Sequence, residues 1–119
     1  MAKFECRITG YEFDTVMNYF HRQITGGSVS SSYEGGSSYQ KGAVRSVVRV
    51  YERYTLMGDN RLSMTVMLAG DGQEVVACAI TAAGGGGMAK LIGWGENSFL
   101  NCFVNAAEQF EGMEILAQE

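Results

Sequence analysis

A succession of alternating segments joined by glycine-bearing turns runs through the middle of this chain, and it constrains the fold more than any other feature. From Ala43 to Met57, Val44, Ser46, Val48, Val50, Tyr54 and Leu56 fall on one parity, and Arg45, Val47, Arg49, Tyr51, Arg53 and Thr55 on the other. Side chains alternate across a strand, so a two-residue period reads as β-structure. Gly58-Asp59-Asn60 supplies turn chemistry, and Arg61 to Ala69 alternates again, with Leu62, Met64, Val66 and Leu68 inward. Gly70-Asp71-Gly72 makes a second hairpin turn. Glu74 to Ala83 is apolar on both parities, Val76, Cys78 and Ile80 against Val75, Ala77 and Ala79, the pattern of a strand covered on both sides. Strands joined by hairpins are antiparallel, so the middle of the chain is a meander.

Two helical patterns flank it. Lys3 to Thr9 reads as a half-buried strand, with Phe4, Cys6 and Ile8 on one face. Thr9 stands three residues before Glu12, the spacing of a capping box, and Phe13, Val16, Met17, Phe20 and Ile24 follow as one apolar stripe. Gly26-Gly27 is expected to end that helix in a left-handed turn. Near the other end, Asn97 or Ser98 can cap a second helix, whose buried stripe is Phe99, Leu100, Phe103, Val104, Ala107 and Phe110. Gly112 fits its stop, and Met113 to Glu119 reads as a loosely docked tail. Met88 to Trp94 reads as a short edge strand. Ser28 to Gly42, rich in Ser, Gly and Tyr, reads either as a weak strand with Val29, Ser31 and Tyr33 on one face or as a disordered linker.

The expected fold is therefore α+β: an antiparallel meandering sheet of five or six strands with two helices on one face, in β-α-β4-α order, residues 1–119 forming a single domain. This order resembles the helix-grip and TATA-binding-protein-like architectures, in which a curved sheet carries helices on one side. A topology does not license a function. Ala43-Val44-Arg45, then Val48-Arg49-Val50-Tyr51-Glu52-Arg53-Tyr54, then the turn containing Gly58, resembles a family of short bacterial proteins of unknown function. The similarity extends from the Phe13 helix to the Phe99 helix, and it implies no activity, cofactor or catalytic residue.

Composition excludes several classes. Hydrophobic residues make up 46% and charged residues 18% of the 119, a globular balance. No run of 18 apolar residues exists to form a transmembrane helix, and Met1 to Arg7 lack the apolar stretch of a signal peptide, so a cytoplasmic protein with no membrane partner is expected. Cys6, Cys78 and Cys102 are too far apart for a zinc motif or a disulfide framework and read as small apolar side chains. His21 is the only histidine, which removes every two-histidine metal motif. A net charge of −4 disfavours nucleic acid.

Several constellations nevertheless invite a functional reading. Gly84, Gly86 and Ala89 match G-x-G-x-x-A, a dinucleotide fingerprint, but the preceding strands are joined by hairpins, not crossover helices. Leu91 follows Lys90 where a Walker-type loop needs Ser or Thr. His21 has no nucleophile elbow to serve. No catalytic residue, metal ligand or cofactor is expected. Arg45, Arg49 and Arg53 share a strand face with Tyr51, either as an anion or single-strand platform near Arg61 or as a solvated face beside Glu5 or Glu34. Glu52 falls on the otherwise apolar face, wet at a strand end or buried with a partner.

Two functional expectations follow. In the first, a non-enzymatic module self-associates as a homo-oligomer through an outer sheet face carrying Arg45, Val47, Arg49, Tyr51, Arg53, Met67 and Ala77, because Arg and Tyr favour interfaces. In the second, a small molecule occupies a cavity between sheet and helices, lined by Met17, Phe20, Glu52, Tyr54, Met64 and Phe103.

Overall fold

The computed structural model describes residues 1–26, 31–54, 61–83 and 89–119, with residues 89–96 as backbone alone. In chain order the elements are β1 (Ala2–Thr9), α1 (Phe13–Thr25), β2 (Ser31–Lys41), β3 (Val44–Tyr54), β4 (Arg61–Gly70), β5 (Glu74–Ala83), α2 (Ala89–Glu108) and β6 (Glu114–Gln118). The strands form a six-stranded sheet in the order β2-β3-β4-β5-β1-β6, each neighbouring pair antiparallel. The α+β class and the antiparallel sheet expected from the sequence are present. The meander is broken once, because β1 docks beside β5 and leaves its other edge to β6.

Register explains which face holds the core. Phe4 lies opposite Ala79, Cys6 opposite Ala77 and Ile8 opposite Val75, while Val66 and Leu68 of β4 meet Ala79 and Ala77 from the other side. These residues are buried under the stripes of both helices, which meet through Phe20 and Phe103, stacked with ring centroids 4.4 Å apart. Tyr11 and Tyr19 pack edge-on against Phe110 at 5.0 and 5.3 Å, closing the core where the helices end.

Three local expectations are corrected, and a fourth is corrected at the one of its two residues that is described. Glu12, not Thr9, occupies the N-cap of α1 and makes no side-chain capping bond; the helix starts on the Val16 N–H to Glu12 C=O bond. Gly26 closes α1 at φ −93°, outside the left-handed region, with its N–H donating to the Arg22 carbonyl at 2.8 Å, and Gly27, the other half of the expected turn, lies outside the described residues. The backbone from Ala89 to Trp94 is helical rather than an edge strand, so α2 begins well before the expected caps Asn97 and Ser98. The tail forms β6: Lys3 and Glu119 exchange backbone hydrogen bonds of 3.0 and 2.9 Å, and Gly112, at φ +81°, turns the chain into the strand. An edge left free by β1 would carry unpaired backbone groups, and β6 satisfies them.

The weak Ser-Gly segment is ordered from Ser31 to Lys41 as edge strand β2, bonded along its length to β3 with one bulge between Tyr33 and Gly35. Val29, Leu56, the Gly58-Asp59-Asn60 turn, the Gly84–Gly87 run and Met88 lie outside the described residues.

Candidate functional site

β3 faces opposite to expectation. Arg53 pairs with Leu62, Tyr51 with Met64, Arg49 with Val66 and Val47 with Leu68, so the arginine parity shares the helix-covered face with the core of β4. Val47, Tyr51, Arg53 and Ala77 are buried, and Arg45 and Arg49 are half-buried; these residues form no outer surface. Met67 alone of the seven expected interface residues lies on the uncovered face, half-buried. Arginine tolerates the inner face because its aliphatic stem covers apolar surface while the guanidinium lies on a ring. Arg45 stands 4.5 Å from the Phe13 centroid, and Arg53 stands 4.6 Å from that of Phe99 with its Nη2 3.1 Å from Cys102 Sγ.

The expected pocket residues disperse as well. Phe20, Met64 and Phe103 are solid core. Glu52 and Tyr54 lie on the uncovered face, where Arg61 pairs with Glu52 at 3.3 Å and donates to the Tyr54 hydroxyl. Met17 alone of the six borders the cleft between α1 and the β2–β3 pair.

That cavity is a cleft of about 220 Å³ between α1 and the β2–β3 pair, bordered by Met17, Tyr33, Gly36, Ser37, Ser38, Arg45, Val47, Val48 and Arg49. Its origin is legible residue by residue. Asp14, Met17 and His21 are spaced three and four apart on α1 and so project from one side of the helix. Asp14 holds Arg45 Nη1 at 2.7 Å, and His21 Nδ1 lies 2.9 Å from the Tyr51 hydroxyl, so the helix is tied to β3 at two points with Met17 between them. Beneath Met17, β2 offers Gly36 opposite Arg49 and Ser38 opposite Val47, where other strands carry Leu or Val. A hollow remains. A Cβ on Gly36 would stand 2.2 Å from the Val48 carbonyl oxygen, so the strand pair closes on a residue without one.

One end of the cleft is an aromatic and cationic cluster. His21, Tyr33 and Tyr51 rings have centroids 5.6 to 5.7 Å apart, and the Arg49 guanidinium stands 5.7 Å from the Tyr33 centroid. Burial, then the Arg49 charge, lowers the His21 pKa below its ordinary 6.5, and burial raises that of Tyr51 although Arg49 acts against the rise. Near neutral pH His21 is therefore uncharged and Tyr51 keeps its proton, and the two share a neutral hydrogen bond between Nδ1 and the hydroxyl. Sequence reading missed this cluster because His21 and Tyr51 belong to different elements. The signal available was His21 lying one turn past Met17 on the α1 stripe.

Cys6 and Cys78 are buried, and burial with the neighbouring Cys78 and Glu5 pushes the Cys6 thiol up to about 12, which makes it inert. Among the described residues no group of three or more His, Cys, Asp or Glu is placed to hold a metal ion. Among them, too, no helix is long and apolar enough to cross a membrane.

Residues 1–111 match the model of a family described as Family of unknown function (DUF6054). No curated protein and no solved structure matches the chain.

Proposed function

The chain belongs to this family of unknown function, and from that premise we propose that it is a non-enzymatic binding protein that takes a small molecule in the cleft between α1 and β2–β3. The observation that carries the reading is a hollow bordered by Arg49, Tyr33, Ser38 and Met17 on the sheet face whose neighbouring Leu62, Met64, Val66 and Leu68 are packed as core. Ligand sites combine concave apolar surface with a few convergent polar groups, and this cleft does so at a volume below that of sites for drug-sized ligands, suited to a smaller molecule. Amide chemical-shift mapping with a panel of small fragments tests it. The expected result is a set of shifts confined to Met17, Tyr33, Gly36–Ser38 and Arg49; shifts scattered over the uncovered sheet face would overturn the reading.

A second reading, self-association as a homo-oligomer, moves to the face without helices. Val44, Val48 and Ile80 are exposed there and Val50, Met67 and Val76 are half-buried, an apolar field of the kind protein contacts use. A shift to the monomer on Ile80→Glu, followed by sedimentation velocity, is the expected result; a wild-type chain that stays monomeric at high concentration removes this reading.

A further inference from the structure

Charge and donors within the cleft say what kind of molecule it takes. Arg45 is neutralised by Asp14 at 2.7 Å, whereas no carboxylate among the described residues lies within ion-pair distance of Arg49. His21 adds no charge near neutral pH, since its pKa is lowered by burial and by Arg49. Among the described residues the cleft therefore carries one positive charge without a paired carboxylate, on a side chain whose guanidinium rests near the Tyr33 ring. A planar guanidinium backed by a ring keeps its outer N–H groups in a fixed fork, which matches the two oxygens of a carboxylate. Ser38 and the Tyr33 hydroxyl add neutral donors, and Met17 and Val47 add apolar surface for a short organic body. A phosphate dianion would need a second free cation, and Arg45 is occupied.

We infer that the cleft binds a small organic monoanion through its carboxylate, with Arg49 as the anchor. The inference rests on the proposed cleft function and specifies its ligand.

Three probes separate the two: benzoate, its neutral counterpart benzyl alcohol, and inorganic phosphate, each titrated into the full chain and followed by amide chemical shifts. Benzoate is expected to shift the cleft amides and to bind at least roughly tenfold more tightly than benzyl alcohol, with phosphate weaker than benzoate. Arg49→Gln should weaken benzoate by roughly tenfold, and Arg49→Lys, which keeps the charge and loses the fork, by less. Arg61→Gln, at a paired cation on the uncovered face and away from the cleft, should change it by under about threefold. Benzyl alcohol binding as well as benzoate would leave the cleft function standing and overturn the carboxylate. Phosphate binding at least as tightly as benzoate overturns it too. If no probe moves the cleft amides, both fall. Should Arg49→Gln fail to give a dispersed spectrum, the three wild-type titrations and their salt dependence still decide, because an anion held by Arg49 weakens as salt rises and benzyl alcohol does not.

Discussion

Phe20 and Phe103 are stacked and fully buried, each touching side chains from the opposite helix. Truncation to Ala at either position removes that contact and leaves a void, and the expected loss is about 3–5 kcal/mol by urea denaturation. A loss below about 1 kcal/mol at either position would show that the helices repack freely. His21 contributes differently. Its folded pKa lies below the ordinary 6.5, so the unfolded chain takes up the proton first. Stability should be full above about pH 6.5, decline as pH falls from there through the folded value, and level off below it. His21→Gln should flatten this decline between about pH 7.5 and 5.5 in denaturant midpoints; equal slopes in both proteins would rule out the His21–Tyr51 pair as its cause. Tyr51→Phe, which removes the hydroxyl hydrogen-bonded to His21 Nδ1, should cost about 0.5–1.5 kcal/mol in the same assay.

Among the elements, those that are apolar on one side were legible. β1, α1, β4 and the Phe99–Ala107 stretch of α2 bury the stripes their periodicity implied, and Phe110, expected on the same stripe, is buried just past the end of the helix. β3 was legible as a strand and misleading as to its facing, since hydrophobicity alone assigns Val44, Val48 and Val50 inward. Its partner decides the matter: pairing Tyr54 with Arg61 sets Arg53 beside Leu62, and every inner residue of β3 follows from that step. β6 has no alternation to read, and forms because β1 presents a free edge. β2 has little intrinsic strand preference and is held by β3, which is why the cleft it floors could not be located from its own residues. Gly36 is the most demanding position of this strand. Gly36→Ala should force β2 and β3 apart at Val48 and destabilise by about 1–3 kcal/mol; an unchanged urea midpoint would show that the pair has slack there.

Across the whole molecule, the sheet joins residues from the two ends of the sequence. Arg7 of β1 bridges Glu74 of β5 at 2.8 Å and Glu114 of β6 at 2.7 Å, and the same three strands share one hydrogen-bonded ladder. Half-exposed ion pairs of this kind add little by themselves, so cohesion comes from the ladder and the core beneath it. Tyrosine fluorescence and far-UV circular dichroism should therefore report one coincident unfolding transition in urea, and separate midpoints would reveal two independently folding units. The position of β1 has a further consequence during synthesis. Its partner across the ladder, from Thr81 opposite Ala2 to Glu74 opposite Thr9, is translated long after it. While the ribosome makes the intervening strands, Phe4, Cys6, Ile8 and the stripe of α1 have no completed core to enter, and they are exposed to every apolar surface in the cell. Only when β5 emerges can β1 take its place, and only after α2 has followed can β6 close its far edge, so the nascent chain must be kept from aggregation until these later elements are made.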